Sequence, residues 1–133
     1  MSGNIESGLK SIVLIIEDEP RILRLIAVSL AGDNFEVVPT KTPSEGLAFF
    51  EAHRATTHLV ITDRDLPEMK GEVVAQRIRE ISGSQIDPYI LMLSAGSPDV
   101  KQMLAMGVTE FMPKPFSPAE LSDHITLADA FFK

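Results

Sequence analysis

Five short apolar runs alternate with longer amphipathic stretches along this chain, and that alternation admits few folds. The runs are Ile12–Ile16, Phe35–Val38, Leu59–Thr62, Tyr89–Leu93 and Glu110–Met112. The first, third and fourth are rich in Val, Ile and Leu without clean polar alternation, as in strands buried on both faces of a parallel sheet. The second and fifth are shorter and more polar, as edge strands are. The stretches between them predict helices with marked starts. Thr42-Pro43-Ser44-Glu45 places a Thr cap, a Pro at the first helical position and a Glu at the third. Ser117-Pro118-Ala119-Glu120 repeats this capping box. Ser97-Pro98-Asp99 predicts a weaker start of the same kind, and Glu19-Pro20 opens the first helix. Ile22, Ile26 and Leu30 share one helical face, as do Leu121, Ile125, Ala128 and Phe132. Val73, Val74, Ile78 and Ile81 give the middle helix an apolar side.

Strand followed by helix, five times over, predicts an α/β fold: a parallel sheet joined by right-handed crossovers and covered on both faces. A chain of 133 residues fits one domain with its own core. Cys is absent, which excludes disulfides and thiolate metal sites. The stretch Met1–Ser11 is polar, with no apolar core for a signal peptide. No segment approaches the ~18 apolar residues of a membrane span. The expectation is a soluble, cytoplasmic protein. The formal net charge of −7 argues against non-specific nucleic-acid binding, which depends on Lys and Arg neutralising phosphates.

In sheets of this kind the functional crevice lies at the carboxyl ends of the strands. Two apolar runs end there on acids: the first on Glu17, Asp18 and Glu19, the third on Asp63. If those strands are neighbours, Glu17, Asp18 and Asp63 converge. Three carboxylates raise one another's pKa unless a cation joins them. Mg²⁺ fits best, being hard and oxygen-seeking. His53, His58 and His124 all lie outside these loops. A plainer alternative leaves Glu17–Glu19 to serve the positive end of the first helix; Asp63, arriving from another strand, weighs against it. The fourth strand ends in Ser94-Ala95-Gly96, a hydroxyl followed by small residues. The fifth leads into Pro113-Lys114-Pro115-Phe116, where one Lys is held between prolines and can pair with Asp63.

With these residues in place the chain resembles the receiver domain of two-component response regulators, close in layout to single-domain chemotaxis regulators. The resemblance runs from about Ser11 to Phe132. It rests on Ile16-Glu17-Asp18, on Thr62 through Gly71, on Leu93-Ser94-Ala95 and on Glu110 through Phe116, in that order. It implies a flavodoxin-like, doubly wound, five-stranded (βα)5 sheet of order 2-1-3-4-5, an order that belongs to the family. It further implies one receiver domain over residues 1–133 without an output domain. Asp63 would accept a phosphoryl group from a phosphohistidine. Asp18 and Asp63 would ligate Mg²⁺, Glu17 through a water, with the backbone carbonyl of Asp65 as another ligand. Lys114 and Ser94 would contact the phosphoryl group. Ser94 and Phe111 would be the switch pair, biasing partner binding through the fourth helix, fifth strand and fifth helix. The Lys114–Pro115 bond is often cis in this family.

The implied partners are a sensor histidine kinase or phosphotransfer protein and a downstream target protein. The protein would be a monomer or weak dimer that binds neither membrane nor nucleic acid, and no enzyme beyond its own phosphoryl transfer and dephosphorylation. Departures from the commonest pattern are Glu17 for Asp, Ser94 for Thr and Phe111 for Tyr. Asp65 and Gly96 occupy positions that tune phosphoryl loss. Met103, Met106 and Met112 suit either a partner surface or the core. Phe132 continues the last helix's apolar stripe, and Phe131 lies off it. Competing readings are a receiver cut from a longer regulator, and a haloacid-dehalogenase-type phosphatase built on Asp63-Arg64-Asp65. A flavodoxin-like cofactor binder is a third, but it needs a phosphate cradle where this chain has Glu17-Asp18-Glu19.

Overall fold

The computed structural model describes residues 11–30, 35–83 and 87–131. Ten elements alternate in order: β1 (Ser11–Ile16), α1 (Pro20–Leu30), β2 (Phe35–Thr40), α2 (Pro43–Ala52), β3 (Thr57–Asp63), α3 (Gly71–Ser82), β4 (Tyr89–Ser94), α4 (Val100–Ala105), β5 (Glu110–Pro113) and α5 (Pro118–Phe131). The five strands are all parallel and lie in the order β2-β1-β3-β4-β5. This is the doubly wound, flavodoxin-like α/β fold, with the chain order reversing between β1 and β3. The two runs predicted as edges, β2 and β5, are the edges, and Pro39 is tolerated in β2 for that reason.

Alternation along the strands divides the core in two. Val13, Ile15, Leu59, Ile61, Leu91 and Leu93 face α1 and α5, meeting Ile26, Leu30, Leu121 and Ile125. Leu14, Ile16, Val60, Ile90 and Met92 face the other side, meeting Phe50 of α2 and Val74 and Ile78 of α3. The three interior strands, β1, β3 and β4, are buried on both faces, which explains their unbroken apolar sequence.

The helix starts obey local chemistry. Thr42 Oγ1 accepts from the Glu45 N–H at 3.1 Å, and Glu45 Oε1 accepts from the Lys41 N–H at 2.9 Å. Ser117 Oγ likewise takes the Glu120 N–H at 3.1 Å. The start of α4 differs from expectation: Asp99, not Ser97, is the cap, accepting from the Gln102 N–H at 3.1 Å. Pro98 therefore precedes the cap. Met103 and Met112 are core residues, at 3% and 0% exposure, which settles those two away from the surface. Phe132, the side chain of Phe131 and residues 1–10 lie outside the described residues.

Candidate functional site

Each site-bearing strand stays paired to its last residue or one beyond. The Glu17 N–H donates to the Thr40 carbonyl at 3.1 Å, extending the β1–β2 ladder. The Arg64 N–H donates to Leu93 O and the Lys114 N–H to Ser94 O, both at 2.8 Å. Functional side chains therefore leave from rigid backbone rather than from free loop. Gly71 tightens the frame. A Cβ there would lie 2.7 Å from the Asp63 carbonyl oxygen and 2.9 Å from Arg64 Cα, so only glycine lets α3 begin so close to β3.

β1 and β3 are neighbours, and the carboxylates of Glu17, Asp18 and Asp63 converge with ligand atoms within 4.8 Å of one another. Asp18 is exposed, whereas Glu17 and Asp63 are buried. Lys114 reaches in from the end of β5, its Nζ 3.0 Å from Asp63 Oδ1 and 3.5 Å from Glu17 Oε1. The bond preceding Pro115 is cis, as the family resemblance implied.

Three carboxylates against one ammonium leave two negative charges unmatched. The imbalance shows at Glu17. Its Oε2 accepts the Glu19 N–H at 3.1 Å, but its Oε1 is buried and makes no hydrogen bond. Burial, reinforced by the charge of Asp63, raises its pKa to about 7 against the pull of the Glu19 N–H and Lys114. Burial also works to lower the Lys114 pKa, but the bond to Asp63 and the charge of Glu17 outweigh it and hold the ammonium above its ordinary value. One lysine cannot neutralise both buried acids; Asp63, the closer, takes it. Glu17 thus serves both readings of its motif, accepting an N–H at the helix entrance and facing the cluster. An all-oxygen set with two excess charges, in which a buried Glu17 oxygen has only the ion pair to Lys114 at 3.5 Å and no hydrogen bond, fits a hard divalent cation such as Mg²⁺.

Ser94 ends β4, fully buried, and its hydroxyl donates to the Gly96 carbonyl at 2.6 Å. Phe111 is half-buried against the core on the α3 side of the sheet. The Asp65 side chain is exposed and pairs with Lys70 at 3.0 Å. None of the three histidines joins the cluster: His53 follows α2, His124 is on α5, and His58 near the start of β3 bonds Ser11 Oγ at 2.9 Å.

Two ion pairs near the site were not foreseen. Arg64 Nε donates to Glu72 Oε2 at 3.0 Å, with the Glu72 side chain only 7% exposed. Periodicity gave no signal: Glu72 lies roughly 120° or more around the helix from Val74, Ile78 and Ile81, and it is buried because the first turn of α3 sits tight against β3 at Gly71. The second is Lys70–Asp65, accompanied by an isolated antiparallel bridge between the same residues.

Comparison with known proteins agrees with this geometry. The family model described as response regulator receiver domain matches residues 13–126. A hybrid signal transduction histidine kinase D of Dictyostelium discoideum is 34% identical over 116 residues, covering 84% of this chain and 7% of that protein. The transcriptional regulatory protein GlrR of Escherichia coli is 30% identical over 104 residues, covering 77% of this chain and 22% of that protein. The chain thus spans well under half the length of both relatives. Among solved structures, the chemotaxis response regulator CheY4 of Vibrio cholerae superposes with a TM-score of 0.75 at 28% identity, over 90% of this chain and 98% of the other. A receiver domain protein of Clostridium thermocellum gives 0.74 at 30% identity, over 89% and 93%. Among the described residues, no helix is long and apolar enough to cross a membrane. With its fold, its acidic cluster and its family match in agreement, the chain belongs to the response regulator receiver domains of two-component signalling.

Proposed function

We propose that Asp63 is the phosphoacceptor of this receiver, taking a phosphoryl group from a phosphohistidine on a sensor kinase or phosphotransfer protein. The observation that carries the reading is the Lys114–Asp63 contact of 3.0 Å at the edge of the acidic cluster. One Asp63 carboxylate oxygen attacks phosphorus in line, the P–N bond breaks, and the imidazole leaves with the bonding pair. Charge spreads over the equatorial oxygens, and catalysis consists of positioning and countercharge. Lys114 supplies a fixed ammonium beside the nucleophile. Glu17, Asp18, Asp63 and the Asp65 carbonyl would hold Mg²⁺, which when bound supplies the remaining positive charge. The pairing of each strand to its end keeps these groups from rearranging during transfer.

The readout we assign runs through Ser94. In the resting arrangement its hydroxyl is committed to Gly96 O. A phosphoryl group on Asp63 offers a stronger, charged acceptor, so the hydroxyl changes partner and draws the 95–99 loop inward. Phe111, only half-buried, follows into the vacated space. Val100 and Leu104 on α4 and Leu127 on α5, the helices before and after β5, are large apolar side chains left 49%, 55% and 59% exposed and available to a partner. The effect is a population shift that alters binding of a downstream target protein.

The phosphatase reading loses support because Asp63-Arg64-Asp65 lies at the end of β3 rather than on a first strand. Incubation with acetyl phosphate tests the proposal. A labile adduct should appear with Mg²⁺, be absent with EDTA, and be absent from Asp63→Asn; an adduct of equal yield in Asp63→Asn would overturn it.

A further inference from the structure

Glu68 lies in the β3–α3 loop, outside the acidic cluster. Its Oε1 accepts two hydrogen bonds from one residue of α2: the Ser44 N–H at 2.9 Å and the Ser44 hydroxyl at 2.8 Å. Ser44 is the second residue of α2, so its N–H is among those no helical carbonyl can reach. Its neighbours are served locally. The Glu45 N–H goes to Thr42, Pro43 has none, and Glu45 returns to Lys41. The Ser44 N–H is satisfied from another element, and by an anion, which the helix dipole favours.

The same loop is closed on itself. Asp65 and Lys70 form an antiparallel bridge and a 3.0 Å ion pair, and the Gly71 N–H donates to Arg64 O at 2.8 Å. Leu66 is buried in the core. The segment carrying the Asp65 carbonyl is thus fixed at its base by β3, inward by Leu66, and sideways by Glu68. That third attachment joins it to a helix that bears no other site residue.

We propose that Glu68 is a positioning residue for the cation site: its carboxylate latches the β3–α3 loop to the start of α2 and keeps the Asp65 carbonyl in ligating position. This rests on the reading of Glu17, Asp18, Asp63 and the Asp65 carbonyl as a Mg²⁺ site. Coupling between two equilibria is reciprocal, so a latch that tightens Mg²⁺ binding is itself tightened by Mg²⁺.

The test is a calorimetric titration of the full chain with MgCl₂, beside hydrogen exchange at the Ser44 amide. Glu68→Ala should weaken Mg²⁺ binding by roughly threefold to tenfold. Glu68→Gln, which keeps an oxygen acceptor at the same reach, should recover most of it. Mg²⁺ should slow exchange of the Ser44 amide in the wild type and leave it unchanged in Glu68→Ala. A latch that only stabilises the fold predicts lower melting with wild-type Mg²⁺ affinity, and that result overturns the proposal. So does a Ser44 amide indifferent to Mg²⁺ in the wild type. If the wild type neither binds Mg²⁺ nor forms an adduct with acetyl phosphate, the cation-site reading fails and the latch with it. If it does both and Glu68→Ala matches it, the latch alone fails.

Discussion

Lys114 Nζ lies 3.0 Å from Asp63 Oδ1 and 3.5 Å from Glu17 Oε1, so one ammonium bridges acids delivered by two different strands. No other Lys or Arg ion-pairs with either acid among the described residues. Lys114→Met therefore leaves two buried carboxylates facing each other. We expect a loss of about 1–3 kcal/mol in denaturant unfolding, below the cost of breaking a fully buried pair because the site borders solvent. Mg²⁺ should restore part of the loss, and adduct formation from acetyl phosphate should slow by at least about tenfold.

The raised Glu17 pKa gives the stability a pH dependence with a definite sign. An acid whose pKa is about 7 folded and 4.5 unfolded binds more protons in the native state between those values. Stability from this group is thus greatest below the window and falls as pH rises through it, by at most about 1.4 kcal/mol per pH unit. In EDTA, Glu17→Gln should flatten the fall between about pH 5 and pH 7. Mg²⁺ held at this cluster would compete with that proton, so its affinity for the wild type should climb over the same range. Unfolding curves at several pH values, with and without the substitution, check both.

On the proposed readout, Ser94 has to release Gly96 O to bond a phosphoryl oxygen. Ser94→Ala should still form the Asp63 adduct but lose most of the accompanying change at Phe111, read as the NMR shift of its ring. Ser94→Thr should retain the change. An undiminished Phe111 response in Ser94→Ala would remove the hydroxyl from the pathway.

The Arg64–Glu72 pair anchors α3 directly behind Asp63. Arg64→Ala leaves a buried carboxylate whose other oxygen, Oε1, already lacks a hydrogen bond. The expected cost is about 2–3 kcal/mol, since Arg64 is partly exposed. Glu72→Leu, which removes the buried charge altogether, should cost less. Chemical denaturation of both variants decides the order.

Much of this architecture was legible in the sequence because local and global signals agree. Apolar runs without alternation marked strands buried on both faces, and the capping boxes at Thr42 and Ser117 marked two helix starts. The convergence of Glu17, Asp18, Asp63 and Lys114 followed once strand ends were compared, because a parallel sheet gathers its carboxyl ends along one edge. What stayed hidden depends on side-chain reach. Whether Asp99 or Ser97 caps α4 turns on which oxygen meets the Gln102 N–H. Glu68 and Ser44 are far apart in sequence, and no periodicity links them. Strand order is likewise set by long-range pairing, and came from family resemblance rather than from the runs themselves.

If Asp63 is the phosphoacceptor, phosphoryl transfer must occur there and must require a divalent cation. The most direct measurement locates the adduct. After acetyl phosphate and Mg²⁺, borohydride reduction converts an aspartyl phosphate to homoserine, and peptide mass spectrometry finds the changed position. The change is expected at position 63 and is expected to disappear when EDTA replaces Mg²⁺. Reduction at any other carboxylate, or equal yield without the metal, would contradict that assignment.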